Sequence, residues 1–351
     1  MVSERSATKT DELPRLGVIM PCRNEQAMIR RSISSVLAFD YPADRMTLTV
    51  VDGMSTDATR AIIEEIAASD PRVRLLINPD RLPAPALNLA IDSLDCDIVL
   101  RVDAHSVYPP DYAARSVAAL LETGAQNVGG VWVTVPGADT PAAKAIAFSL
   151  AHPFGVGNAE YRTGTRERRW ADTVPFGCWR LETLREMGGF TTDIPYGEDD
   201  ELNGRLRAAG GRILLDPSIT CEYVARPSLG KFMLMLYRYG RSKPATAMRL
   251  GKVTTVRQLV PLIFVLTTAG SVALAFVSPP LLLVGAAAML AHLAVGTSVA
   301  ARAAAARRLD RPSALRVPHT LLAGHVAYGM GYLVGLLYQL NPWKHRPNVH
   351  T

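Results

Sequence analysis

Cysteine is scarce. The 351 residues contain four, Cys22, Cys96, Cys178 and Cys221, far apart and none in a C-x-x-C pair. That spacing excludes a disulfide-stapled scaffold and a zinc knuckle, and reads as reduced thiols in a cytosolic domain. No G-x-G-x-x-G follows the first apolar run and no G-x-x-x-x-G-K-[ST] occurs, which argues against a Rossmann dinucleotide site and a P-loop. Met1 to Leu13 is polar and lacks an apolar stretch behind a basic start, so no secretory signal is expected. Acidic residues are almost missing from one end: residues 251–351 carry nine Lys/Arg and the single acid Asp310, whereas the first 250 carry 29 and 31. The net charge of +6 therefore belongs to the C-terminal part and gives no reason to expect a nucleic-acid partner. With 48% hydrophobic and 20% charged residues, the chain is globular, and its length suits about two domain-sized units.

The same C-terminal part has two long runs without any charged residue, Gln258 to Ala301 and Val317 to Trp343. About 20 apolar residues cross a bilayer as a helix. The first run is long enough for two crossings and Ser278-Pro279-Pro280 divides it, so helices are expected at 259–278, 281–301 and 319–340. A buried helical subdomain is the other reading of these runs. His292 and His325 are tolerable in apolar helices as neutral imidazoles on faces packed against protein. The loop from Arg302 to Arg316 holds five Arg and Asp310, and by the positive-inside rule it faces the cytoplasm. A basic tail with Lys344 and Arg346 opposes export of the C-terminus, so the third helix is expected to be re-entrant or to lie in the interface.

Residues 15–135 alternate short β-branched runs with helical patterns. Strands are expected at Leu16–Met20, Leu48–Val51, Val73–Ile77 and Ile98–Val102, and helices at Glu25–Ala38, Thr59–Ala68 and Ala86–Leu94. Such alternation builds a parallel sheet, whose ligands sit beyond the carboxyl ends of its strands. Three polar clusters follow those ends: Arg23-Asn24-Glu25, Asp52-Gly53-Met54-Ser55-Thr56-Asp57 and Asp103-Ala104-His105.

Asp103 and His105, at i and i+2 of an extended segment, point the same way and can approach one ion. A carboxylate and an imidazole, completed by water and phosphate oxygens, suit Mg2+ or Mn2+. Taken alone, the triplet reads equally as a strand-end cap and a loop histidine. Downstream, Glu198-Asp199-Asp200-Glu201 enter a helix. The helix dipole accounts for acids in a first turn, but four adjacent carboxylates also repel and raise the pKa of one, as a general base requires.

Together, Val18–Glu25, Val50–Asp57, Asp103-Ala104-His105 and Gly197-Glu198-Asp199 resemble the ordered motifs of family 2 inverting glycosyltransferases with the GT-A fold. Arg101–His105, His152–Asn158 and Glu198–Leu202 resemble the branch that includes succinoglycan-type exopolysaccharide glycosyltransferases. The resemblance covers residues 15–245. It implies an α/β GT-A fold, a Rossmann-like mixed sheet, at 15–245, between a polar tail at 1–14 and a membrane domain at 246–351. It also implies that Pro21, Arg23, Asn24, Glu25, Asp52, Gly53, Ser55, Asn88, Arg101 and Asp103 hold the nucleotide, with UDP the default. Asp103 and His105 would bind Mn2+ or Mg2+, although the commoner triplet has a second Asp where this chain has His105. Asp199 would be the base, flanked by Glu198 and Asp200. The Q-x-x-R-W signature of processive synthases is missing.

Phe176, Gly177 and Trp179 suit the acceptor side or core packing, and Arg238 and Arg241 suit a leaving diphosphate or anionic lipid. Arg162, Arg166, Arg168 and Arg169 read as a solvated basic loop, with a phosphate-binding loop as the other reading. The implied activity is metal-assisted single displacement from a nucleotide-diphosphate sugar to a polyprenyl-diphosphate-linked saccharide, at the cytoplasmic face of the inner membrane, in cell-surface or exopolysaccharide synthesis. The alternatives are a polyprenyl-phosphate glycosyl synthase and an inactive nucleotide-sugar sensor or scaffold.

Overall fold

The computed structural model describes residues 13–157, 159–253 and 255–341. Most of the expected tail at 1–14, together with Asn158, Lys344 and Arg346, lies outside the described residues.

The strands are β1 (Leu16–Cys22), β2 (Met46–Asp52), β3 (Val73–Ile77), β4 (Ile98–Arg101), β5 (Ser106–Val107), β6 (Asn127–Val135), β7 (Arg169–Trp170), β8 (Cys178–Arg180) and β9 (Ile213–Val224). They form one mixed sheet in the order β3-β2-β1-β4-β8-β6-β9-β5, with β7 beside β9. The helices of the same region are α1 (Ile29–Leu37), α2 (Thr59–Ser69), α3 (Pro83–Ser93), α4 (Tyr112–Thr123), α5 (Pro141–Leu150), α6 (Pro153–Val156), α7 (Glu160–Thr163), α8 (Leu181–Glu186) and α9 (Glu198–Ala208). They are followed by α10 (Leu229–Leu250), α11 (Val260–Leu274), α12 (Leu281–Ala305), α13 (Arg311–Ala314) and α14 (Val317–Leu340).

The apolar run of β1 serves two cores. Successive side chains of a strand point to opposite faces. Val18 and Met20 therefore enter one core with Ile33, Leu48 and Val50, and Ile19 enters the other with Val51, Leu87 and Val99. Both faces are covered, which is why the strand lacks a polar alternation. The expected parallel arrangement holds for β1 to β4. Beyond it β8 inserts antiparallel between β4 and β6, and β9 runs parallel to β6, as a mixed sheet requires. The two longest strands, β6 and β9, escape sequence periodicity because Gly129-Gly130 and Pro217 interrupt their apolar pattern, and a bulge falls between Gly129 and Val131.

At the C-terminal end the three expected apolar helices form. The first stops at Leu274, four residues early, ahead of the Pro279-Pro280 pair that cannot continue it. All three are long and apolar enough to cross a membrane, with mean hydropathies of 1.5, 1.8 and 1.4. They leave large apolar side chains uncovered: Leu283 is 71% exposed and Leu290 66%. A helical subdomain buried in a soluble protein would cover such residues. His292 Nε2 and His325 Nδ1 meet at 2.8 Å across α12 and α14.

One helix joins the two regions. The expected boundary at 245/246 falls inside α10, which runs unbroken for 22 residues through Pro244. Glycines bring α10 and α14 into backbone contact: a Cβ on Gly240 would stand 2.1 Å from the Tyr328 carbonyl oxygen, and one on Gly331 2.1 Å from that of Tyr237. Neither carbonyl can yield without moving its helix. Gly240→Leu is expected to cost about 2 kcal/mol or more through overpacking, read as a lower Tm of the full chain in detergent, whereas Gly230→Ala, where a Cβ meets nothing within 4 Å, leaves Tm within a degree or two.

Candidate active site

The loops after β1 and β2 are stitched together by side chains. Asn24, in the left-handed region at φ 55°, receives Thr56 N–H on Oδ1 at 2.8 Å, while its own N–H donates to Ser55 Oγ at 2.9 Å. Asparagine tolerates that conformation better than most residues. Glu25 N–H donates to Thr59 Oγ1 at 2.8 Å. Asp52 is fully buried. It accepts from Arg60 Nη2 at 2.7 Å and from Ser55 N–H at 3.1 Å, so it fastens this loop from beneath.

The end of β4 supplies the centre of the site. Arg101 is buried and its Nη2 lies 2.9 Å from Glu198 Oε1 and 3.5 Å from Asp103 Oδ1, while Nη1 pairs with Asp199. Three carboxylates share one guanidinium. Asp103 follows two residues later, its N–H donating to Tyr108 Oη at 2.7 Å. The segment 103–105 is a turn rather than the expected extended chain. His105 Nδ1 nevertheless faces the same space, 3.9 Å from Glu25 Oε1, with its ring edge-on to Tyr223. Burial lowers the His105 pKa, so the imidazole is uncharged near neutrality.

α9 begins after Gly197, and the rotation of about 100° per residue distributes its four acids among three sets of partners. Glu198 and Asp199 face Arg101. Asp200 faces Lys243 of α10 and accepts from Thr173 Oγ1 at 3.1 Å, and Glu201 is held by Arg205 at 2.8 Å and Arg249 at 2.9 Å. Burial raises the Asp199 pKa well above the usual carboxylate range; Arg101 opposes this, while Glu198, Asp103 and Asp200 add to it. Burial pushes Asp200 the same way, but Lys243 and Thr173 outweigh it and hold that group low. Neighbouring acids with pKa values driven apart are the pattern of a base beside a fixed charge.

These parts line one cavity of about 1140 Å3 that opens at the carboxyl ends of β1 and β4 and continues between α10, α11, α12 and α14. Pro21, Arg23, Asn24, Glu25, Gly53, Arg101, Asp103, His105, Glu198, Asp199, Asp200, Phe176 and Arg238 all reach it. Other expected site residues do not. Trp179, expected on the acceptor side, is 1% exposed and packs into the second core with Phe190. Gly177 has φ 120° and abuts that indole, so its place is structural. Asn88 bonds the Phe190 backbone in both directions, and Ser55 serves the loop beneath the cavity wall. Arg241 points away from the cavity, exposed on α10.

Sequence reasoning missed Lys243, a single lysine in a long helix with nothing adjacent to mark it. It also took Arg162 for a solvated residue. Arg166, Arg168 and Arg169 are exposed, but Arg162 is buried against Trp132, Tyr161 and Tyr223. The Y-x-x aromatic setting of Arg162 is assembled from α7, β6 and β9, and sequence spacing carries no trace of it.

A model of "Glycosyl transferase family 2" matches residues 17–186. The succinoglycan biosynthesis protein ExoA of Rhizobium meliloti (strain 1021) is 33% identical over 263 residues, covering 74% of this chain and 77% of that protein. The chain belongs to glycosyl transferase family 2. The mannosyltransferase PcManGT from Pyrobaculum calidifontis, solved with GDP-Man and Mn2+, is 25% identical with a TM-score of 0.59, covering 92% of this chain and 88% of that one. Staphylococcus aureus TarS 1–349 with UDP-GlcNAc shares the fold at a TM-score of 0.51 and 16% identity, covering 91% of both chains. The fold is therefore GT-A and the protein is a glycosyltransferase, in keeping with the motifs read from its sequence.

Two outcomes follow from the paired acids of this family 2 site. The carboxylate form of Asp199 is lost as pH falls through its raised pKa, so a reaction that used it as base would have its kcat/KM acid limb well above the ~3.9 of an ordinary aspartate; a limb near 4 contradicts that role. Lys243→Met strands Asp200 and costs about 3 kcal/mol of stability, and Asp200→Asn in the same chain restores much of it, read by thermal unfolding of the single and double variants.

Proposed function

We propose that this family 2 glycosyltransferase moves a sugar from a nucleotide-diphosphate donor, UDP the expected base, to a lipid-linked saccharide in cell-surface or exopolysaccharide synthesis. The observation that carries this reading is the continuity of one cavity. Its polar end holds the loop after β1, the 103–105 turn and the acids of α9. Its other end is walled by the helices that are apolar enough to enter a bilayer. A donor that is water-soluble and an acceptor that is lipid-soluble can meet only in such a space. The named relatives support it: ExoA is a succinoglycan biosynthesis protein, and PcManGT was solved with a nucleotide sugar.

In this reading Arg23, Asn24, Glu25 and Gly53 receive the nucleotide, and Asp52 keeps their loop in place through Arg60. Asp103 and His105 would hold Mn2+ or Mg2+. They fit one in kind, a carboxylate beside a neutral imidazole on one turn. Among the described residues no third side chain joins them in a ready cluster, so phosphate oxygens and water would complete the shell. A divalent cation there supplies neutralisation of charge on the departing diphosphate. Asp199 takes the acceptor hydroxyl proton, releasing its hold on Arg101 to do so. Arg101 remains between Glu198 and Asp103. The new bond forms at the anomeric carbon as the donor bond breaks on the opposite face, so an α-linked donor gives a β-linked product. The apolar helices anchor the chain, with the Arg302–Arg316 loop on the cytoplasmic face of the inner membrane.

The test is transfer from a panel of nucleotide sugars to lipid-linked acceptors by the full chain in detergent, with Mn2+ or Mg2+. Asp103→Ala is expected to abolish metal-dependent transfer. Asp199→Asn is expected to reduce kcat by about 10^2- to 10^4-fold while donor affinity stays within about threefold. Equal turnover on water-soluble and lipid-linked acceptors would remove the lipid from the proposal.

A further inference from the structure

Arg162 is a buried cation without a counter-anion. It stands on the single turn of α7, 7% exposed, and lines the cavity. Its guanidinium carbon lies 4.3 Å from the centroid of Trp132, 5.2 Å from that of Tyr223 and 5.5 Å from that of Tyr161. Trp132 and Tyr223 are themselves stacked at 4.3 Å with planes 2° apart, giving the guanidinium a rigid platform. Among the described residues Arg162 forms no ion pair, and its Nη1 has no hydrogen-bond partner. The groups that bear on its charge are the phenols of Tyr161, Tyr223 and Tyr239, not carboxylates. Among the described residues the other strongly buried cations face acids: Arg101 faces three and Lys243 faces Asp200. Cation–π contacts offset part of the desolvation of a guanidinium, but an unsatisfied N–H beside a cavity remains unfavourable until an anion arrives.

The position of Arg162 selects the anion. Tyr223 separates it from the 103–105 turn, since the other edge of Tyr223 meets the His105 ring at 5.6 Å. Near His105, Arg226 and Lys231 act on Glu25, so that end of the cavity has cations of its own. On the Arg162 side the cavity runs past Tyr239 toward Phe154 and Phe264, among the apolar helices. We propose that Arg162 seats a phosphate group of the acceptor, the anionic head of a lipid-linked saccharide, at a site separate from the donor diphosphate. This rests on the reading that the cavity joins a nucleotide sugar to a lipid-linked acceptor. A planar fork of donors fixed on aromatic faces suits a phosphate in two-point contact, which a lysine could not reproduce.

The test uses the full chain in detergent with divalent cations chelated, and measures binding of inorganic pyrophosphate and of geranyl diphosphate by calorimetry. Geranyl diphosphate is expected to bind without metal, more tightly than pyrophosphate, and Arg162→Gln is expected to weaken it tenfold or more. Arg162→Lys, which keeps the charge and loses the fork, should fall between them. UDP binding in the presence of Mn2+ should be the same in all three proteins, which reports an intact fold and donor site. In transfer assays the acceptor KM rises at least tenfold in Arg162→Gln with the donor KM unchanged. Unchanged geranyl diphosphate binding in Arg162→Gln overturns the seat, as does a parallel loss of UDP binding in both variants. Pyrophosphate binding as tightly as geranyl diphosphate overturns the lipid assignment. A chain that transfers to no lipid-linked acceptor yet shows Arg162-dependent binding contradicts the proposed function and leaves the seat standing.

Discussion

The site is organised by a shortage of positive charge. Arg101 stands at the end of a buried strand and must serve Asp103, Glu198 and Asp199, which come from two distant parts of the chain. Burial raises the Asp199 pKa, and one shared guanidinium does not offset it against the carboxylates of Glu198, Asp103 and Asp200. A second cation at Arg101's position would ionise it fully and leave a weak base. None at all would cost the fold several kcal/mol in uncompensated buried charge.

The second constraint is mechanical. α10 carries Lys243 and Arg249 to the acids of α9, and its glycine-lined face meets α14 backbone to backbone. The helix that fixes the charge beside Asp199 is therefore also the helix that fixes the apolar bundle. This couples the apolar bundle's position to the charges around Asp199, and it explains why the cavity is continuous rather than divided at a domain border. The expected border at 245/246 has no structural counterpart because a soluble helix with a polar face and an apolar one can belong to both regions.

What was legible in the sequence follows from locality. β1 to β4, the polar clusters behind them and the three apolar helices are written in short periods and long runs, and each formed within a few residues of its expected bounds. The acids of α9 and the 103–105 triplet were legible because chemistry and chain neighbourhood coincide there. Residues whose meaning depends on distant partners were not. Trp179 carries the letters of a sugar platform, yet β8 turns it into the core, while Trp132, on a strand obscured by Gly129-Gly130, became the cavity aromatic. Lys243 answers a carboxylate across the fold, and no spacing rule pairs it with Asp200 at a separation of 43 residues.

The central claim is that one carboxylate at the rim of the sheet acts as base in a single displacement. The most direct test is the anomeric configuration of the linkage first formed from an α-linked nucleotide sugar, read by proton NMR of the product. A β-linkage is the predicted result. An α-linkage would mean retention of configuration, and would contradict the assignment of Asp199 as the base of a single in-line displacement.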